Sequence, residues 1–93
     1  MIDPAERPRL SAKARLRFDK PTQTHLLLYP ERGMKLNATG TAIVQLCDGT
    51  RTVRAIAAAL AETYDKPAEE VSLEVDAFLQ ALADRGLIDW VAA

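Results

Sequence analysis

The sequence predicts an α+β domain in which a three-stranded antiparallel sheet is followed by three helices. Two features of the pattern carry this. Apolar and polar residues alternate through the first third of the chain, which is the period of a half-buried strand; from Ala38 onward apolar residues recur at three and four, which is the period of an amphipathic helix. The change falls within MKLNATGTAIVQLCDG, residues 34–49, which begins as a strand and ends as a helix.

The chain has 93 residues, enough for one domain with a single small core. Residues 1–12 place Pro4 and Pro8 among charges without periodicity, so they read as a flexible N-terminal arm, leaving residues 13–93 as the folded unit. In KARLRFD, residues 13–19, Ala14, Leu16 and Phe18 alternate with charged residues and give the first strand. Pro21 then suits a turn. The second strand, residues 24–30, holds Leu26, Leu27 and Leu28 in succession, so both of its faces are apolar, and Pro30 ends it. A turn through Glu31 leads to a short third strand, residues 33–37, at the edge of the sheet.

Asn37 caps the first helix, residues 38–48, whose apolar positions are Ile43, Leu46 and Cys47, and Gly49 closes it. Gly40 within it reads as a site of close packing. Thr52 caps the second, residues 53–64, with Val53, Ile56, Leu60 and Tyr64 along one face. Pro67 introduces the third, residues 68–85, striped by Val71, Val75, Phe78, Leu79 and Leu82 and stopped by Gly86. Leu73, Ala77 and Ala81 form a thinner stripe on a flank of that helix, with Leu73 partly exposed. After the stop, LIDW extends as a tail that packs Leu87 and Trp90 on the core. Strands followed by helices on short connections make the whole winged-helix-like.

Several function classes fall away. No apolar run approaches the roughly 20 residues that span a bilayer, and the N-terminus has no signal-peptide core, so a cytoplasmic domain is expected. Cys47 is the only cysteine and His25 the only histidine, on different elements, so neither a disulfide nor a thiol beside a base is available. Cys47 reads as a core residue. No metal-ligand cluster and no phosphate loop is present, so no enzyme activity, metal or cofactor is expected. The winged-helix outline invites a DNA reading, but the third helix carries Glu69, Glu70, Glu74, Asp76 and Asp84, which repel phosphates. The charge is sided rather than large: residues 1–35 hold eight Lys or Arg against four acids, and residues 66–93 hold two against six.

A binding module remains. The edge strand leaves backbone groups that another chain can complete, and Leu73, Ala77 and Ala81 supply a lining beside it. A proline at Met34 is expected to remove one of those backbone donors. The same residues are also consistent with Lys35 protecting the edge and Leu73 being a scattered surface leucine. Lys13, Arg15 and Arg17 on the outer face of the sheet read as a solvated face.

In order along the chain, RPRL, RLRFD, LLLYPERGMKLNATGTAIVQLCDG, TRTVRAIAAALAETYD and LADRGLI resemble the PqqD family of pyrroloquinoline quinone (PQQ) biosynthesis over residues 7–88. The resemblance implies a peptide chaperone, the recognition element of ribosomally made, modified peptides (RiPPs), that does no chemistry itself. It implies a precursor peptide as one partner and a radical S-adenosylmethionine enzyme as another, with the peptide added as a strand. Carried onto this chain, that places the peptide along Gly33, Met34, Lys35 and Leu36 and against Leu73, Ala77 and Ala81. Service to a different modified-peptide pathway is the first alternative, and winged-helix DNA binding the second. An open edge also permits a homodimer, through edge strands or a swapped N-terminal hairpin.

Overall fold

A computed structural model describes residues 2–91. The elements run β1 (Arg7–Leu10), β2 (Arg15–Asp19), β3 (Thr24–Tyr29), β4 (Arg32–Leu36), α1 (Ala38–Leu46), α2 (Val53–Tyr64), α3 (Ala68–Asp84) and β5 (Ile88–Val91). β2, β3 and β4 form the expected antiparallel meander, in that order, while β1 and β5 pair antiparallel as a second sheet. The fold is α+β, with five strands in two sheets among the described residues.

The meander folds because one of its faces is apolar. Leu16, Leu27 and Met34 stand side by side across the three strands, with Leu36 one pair further along beside His25. Leu27 is fully buried there. The burial tapers along β2: Ala14 is buried, Leu16 is half-buried, and Phe18 at the far end is exposed and stacks on His25 across the strand pair at 4.9 Å. Pro30 and Glu31 form the tight turn between β3 and β4. Glu31 takes a left-handed φ of 62° there, so β4 starts at Arg32.

Both predicted N-caps are in place. Asn37 accepts a hydrogen bond from Gly40 N–H at 2.7 Å, and Thr52 accepts one from Ala55 N–H at 3.0 Å. The main stripe of α3, Val71, Val75, Leu79 and Leu82, is buried with Ile43 of α1 and Ile56 and Leu60 of α2. Each such side chain contributes roughly 1.5–3 kcal/mol relative to exposure. Gly86 ends α3 with a φ of 71° and turns the chain so that Leu87 enters the core fully buried.

The N-terminus departs from expectation. Within the expected arm, residues 1–12, the described part is not loose: β1 pairs with β5 from Arg7↔Val91 to Leu10↔Ile88, and Pro8 is fully buried. The other side of this segment is also occupied. Leu10 N–H donates to Cys47 O and Gly49 N–H to Pro8 O, both at 3.0 Å, while Val53 and Arg54 N–H donate to Glu6 O and Pro4 O. The N-terminal segment therefore satisfies the first free amides of α2 as well as one edge of β5. It also shortens α1, which ends at Leu46 rather than residue 48 because the backbone of Cys47 and Gly49 is engaged by β1. Of the tail residues expected to pack inward, Leu87 does, whereas Trp90 remains 38% exposed.

Candidate functional site

β4 has β3 on one side and no strand on the other among the described residues. Its free backbone groups can be assigned from the turn. Tyr29 and Arg32 form the pair that closes a two-residue loop, so they exchange both hydrogen bonds. The alternation then turns the amides of Met34 and Leu36 inward, toward Leu27 and His25, and those of Gly33 and Lys35 outward. The open edge therefore offers two donors and two acceptors, from Gly33 and Lys35. The donor expected at Met34 is used inside the sheet.

From Asn37, just past the end of β4, runs a groove of about 560 Å³ lined by Asn37, Thr39, Gly40 and Ile43 from α1 and its cap, Lys66 before α3, and Glu74, Ala77 and Phe78 of α3. Gly40 shapes it. A Cβ at this position would lie 3.0 Å from Phe78 Cε1 and 3.3 Å from Cζ, so the missing side chain lets the Phe78 ring lie against α1. Ile43, Ala77 and Phe78 make the floor apolar, and Lys66 and Glu74 place one charge of each sign on the walls.

Of the predicted site residues, Gly33, Met34, Lys35 and Leu36 all lie on β4, and Ala77 lines the groove. Leu73 is 73% exposed and, like Ala81, is not part of the lining. Ile43, Lys66, Glu74 and Phe78 were not singled out as site residues from sequence, and only a contact between α1 and α3 reveals them.

Among the described residues, no group of three or more His, Cys, Asp or Glu side chains could hold a metal ion, and no helix is long and apolar enough to cross a membrane. Cys47 is 5% exposed, and burial together with the neighbouring Asp48 charge pushes its pKa up to about 12, so it is an inert thiol near neutrality. Asp48 is held below the ordinary carboxylate range by hydrogen bonds from the Thr50 hydroxyl and amide and by Arg51. Its role is to tie the turn between α1 and α2.

The family model described as Coenzyme PQQ synthesis protein D (PqqD) matches residues 24–88. A PqqA binding protein of Rhodopseudomonas palustris (strain BisB5) is 41% identical over 87 residues, covering 94% of this chain and 85% of that one. The chain belongs to the PqqD family. Among solved structures, the PqqD portion of Methylobacterium extorquens PqqCD, described as a stand-alone RiPP recognition element, superposes with a TM-score of 0.76 at 36% identity. It covers 88% of this chain and 87% of that one. TbiB1 bound to the TbiA(beta) leader peptide shares the fold, with a TM-score of 0.75 at 22% identity over 91% of this chain and 99% of that one.

Proposed function

We propose that this PqqD-family domain is a non-catalytic, cytoplasmic accessory protein that binds the PqqA-type precursor peptide in PQQ biosynthesis. It presents the bound peptide to the pathway's radical S-adenosylmethionine enzyme. The carrying observation is the open β4 edge, with the outward backbone groups of Gly33 and Lys35, together with the groove that starts at Asn37 and is floored by Ile43, Ala77 and Phe78. Relatives at about this identity are PqqA binding proteins, which supports the choice of ligand.

The energetics require both features. Four backbone hydrogen bonds contribute about 2–6 kcal/mol net, at roughly 0.5–1.5 each, whereas micromolar affinity needs about 8. An apolar peptide side chain burying about 100–150 Å² in the groove supplies about another 3 kcal/mol. Presentation then needs no catalytic group, because holding peptide and enzyme on one scaffold makes their encounter effectively intramolecular.

Amide shifts on titration with the precursor peptide test this reading. Shifts concentrated at Gly33, Lys35, Gly40, Ala77 and Phe78 are expected. A peptide that perturbs only residues remote from the edge and groove, or duplex DNA that perturbs α3 in its place, overturns it.

A further inference from the structure

The outer face of the meander carries a second surface. Residues of β2, β3 and β4 that point away from the core fall in two rows across the sheet, Arg15–Leu28–Gly33 and Arg17–Leu26–Lys35. Two half-buried leucines, Leu26 and Leu28, thus occupy the centre of a face turned away from the core, with Arg15, Arg17 and Lys35 around them, all three exposed. Gly33 leaves one side of the half-buried Leu28 open: a Cβ there would meet Leu28 Cδ2 at 3.3 Å, and none is present.

The three cations have no carboxylate within ion-pair distance among the described residues, where the only salt bridges are Arg9–Asp89 and Arg51–Asp48. Lys13, on the same stretch of sequence, is employed elsewhere. Its ammonium lies against Gly86 at the C-terminal end of α3, where a helix favours positive charge. Three unpaired cations thus share this face, with Arg15 and Arg17 about 7 Å apart along β2 by strand geometry.

We infer that the outer face of β2, β3 and β4 is the docking surface for a protein partner presenting an acidic patch with an aliphatic residue at its centre. The charge determines the class of occupant. Three cations around an apolar pair, on a chain of net charge −1, are too few for the several phosphate contacts that hold a protein on nucleic acid. They suit a protein surface, where an apolar centre gives contact and a charged rim gives orientation and rate. The location matters too. A strand added beside β4 extends the sheet, and its alternate side chains emerge on this same face, so a protein seated here touches both the domain and the exposed side of the peptide. This deepens the presentation reading and rests on it, assigning the surface that meets the enzyme.

The test uses the full chain and the radical S-adenosylmethionine enzyme, with peptide affinity measured separately. The double variant Arg15→Glu, Arg17→Glu is expected to weaken enzyme binding by about tenfold or more and to abolish its dependence on salt between about 0.05 and 0.5 M, while peptide affinity stays within about twofold. Arg15→Gln with Arg17→Gln, less disruptive to the fold, is expected to give an intermediate loss. Unchanged enzyme binding overturns the inference, as does absence of any enzyme binding by the wild-type domain. So does loss of peptide affinity in the same variants, loss of self-association alone, or competition by duplex DNA at the same residues. Failure of the wild-type domain to bind peptide is a different result, and it overturns the proposed function.

Discussion

Two prolines placed one residue apart on β4 should have opposite consequences. Lys35 turns its amide to the open edge, so Lys35→Pro leaves the β3–β4 ladder intact, and an edge strand tolerates proline where its N–H faces outward. Binding should suffer instead. One hydrogen bond worth about 0.5–1.5 kcal/mol is lost, and the peptide carbonyl it served is left unsatisfied at about 1–3 kcal/mol. The sum, about 1.5–4.5 kcal/mol, corresponds to roughly 10- to 1,600-fold weaker peptide affinity. Met34 turns its amide to Leu27, whose side chain is fully buried, so Met34→Pro should subtract a similar sum, about 1.5–4.5 kcal/mol, from stability and lower Tm by about 6–36 °C. Calorimetric titration with the precursor peptide and thermal unfolding of both variants give the two numbers, with Lys35→Ala correcting for the lost charge. A stable Met34→Pro that fails to bind, beside a Lys35→Pro that binds normally, would refute the assignment of the edge.

Four further outcomes follow from the packing. Asn37→Ala removes the cap on Gly40 N–H and should destabilise by about 1 kcal/mol, read as a Tm lower by about 4–8 °C. Gly40→Ala should leave stability nearly unchanged, because a helix gain of about 1 kcal/mol offsets the crowding of Phe78, yet weaken peptide binding several-fold by moving the ring that floors the groove. Deleting residues 2–10 removes four hydrogen bonds to the α1–α2 region as well as the β1–β5 pairing. With each bond worth about 0.5–1.5 kcal/mol, this takes a large part of a domain's usual 5–15 kcal/mol, and circular dichroism should show a chain largely unfolded at 37 °C. The Cys47 thiol should resist an aromatic disulfide reagent in the native state at pH 8 and react at once in denaturant. Because folding raises its pKa from 9.0 to about 12, its contribution to stability is full below about pH 9 and is lost as pH rises toward 12, which an alkaline unfolding series would show.

What could be read in advance depended on whether the signal was local. The meander was legible because one side of each strand is buried, and the helices because each cap is followed by its own apolar stripe. β1 and β5 were not, since Arg7, Pro8, Arg9 and Leu10 become a strand only against residues 88–91, some eighty positions away. The groove was hidden for a related reason, which the geometry of α3 makes explicit. At 100° per residue and measured from the buried Val75, Phe78 lies about 60° and Glu74 about 100° to one side, while Leu73 lies about 160° away on the other. A leucine set nearly opposite the core was attractive as a binding residue because burial did not explain it, but a side chain there points away from every neighbouring element. A crevice between two packed helices opens where their contact ends, so its lining comes from the margin of the apolar stripe, from residues such as Phe78 that sequence pattern assigns to the core. The glycine at position 40 exposes that margin, and no periodicity in α3 could disclose it, because the space belongs to α1.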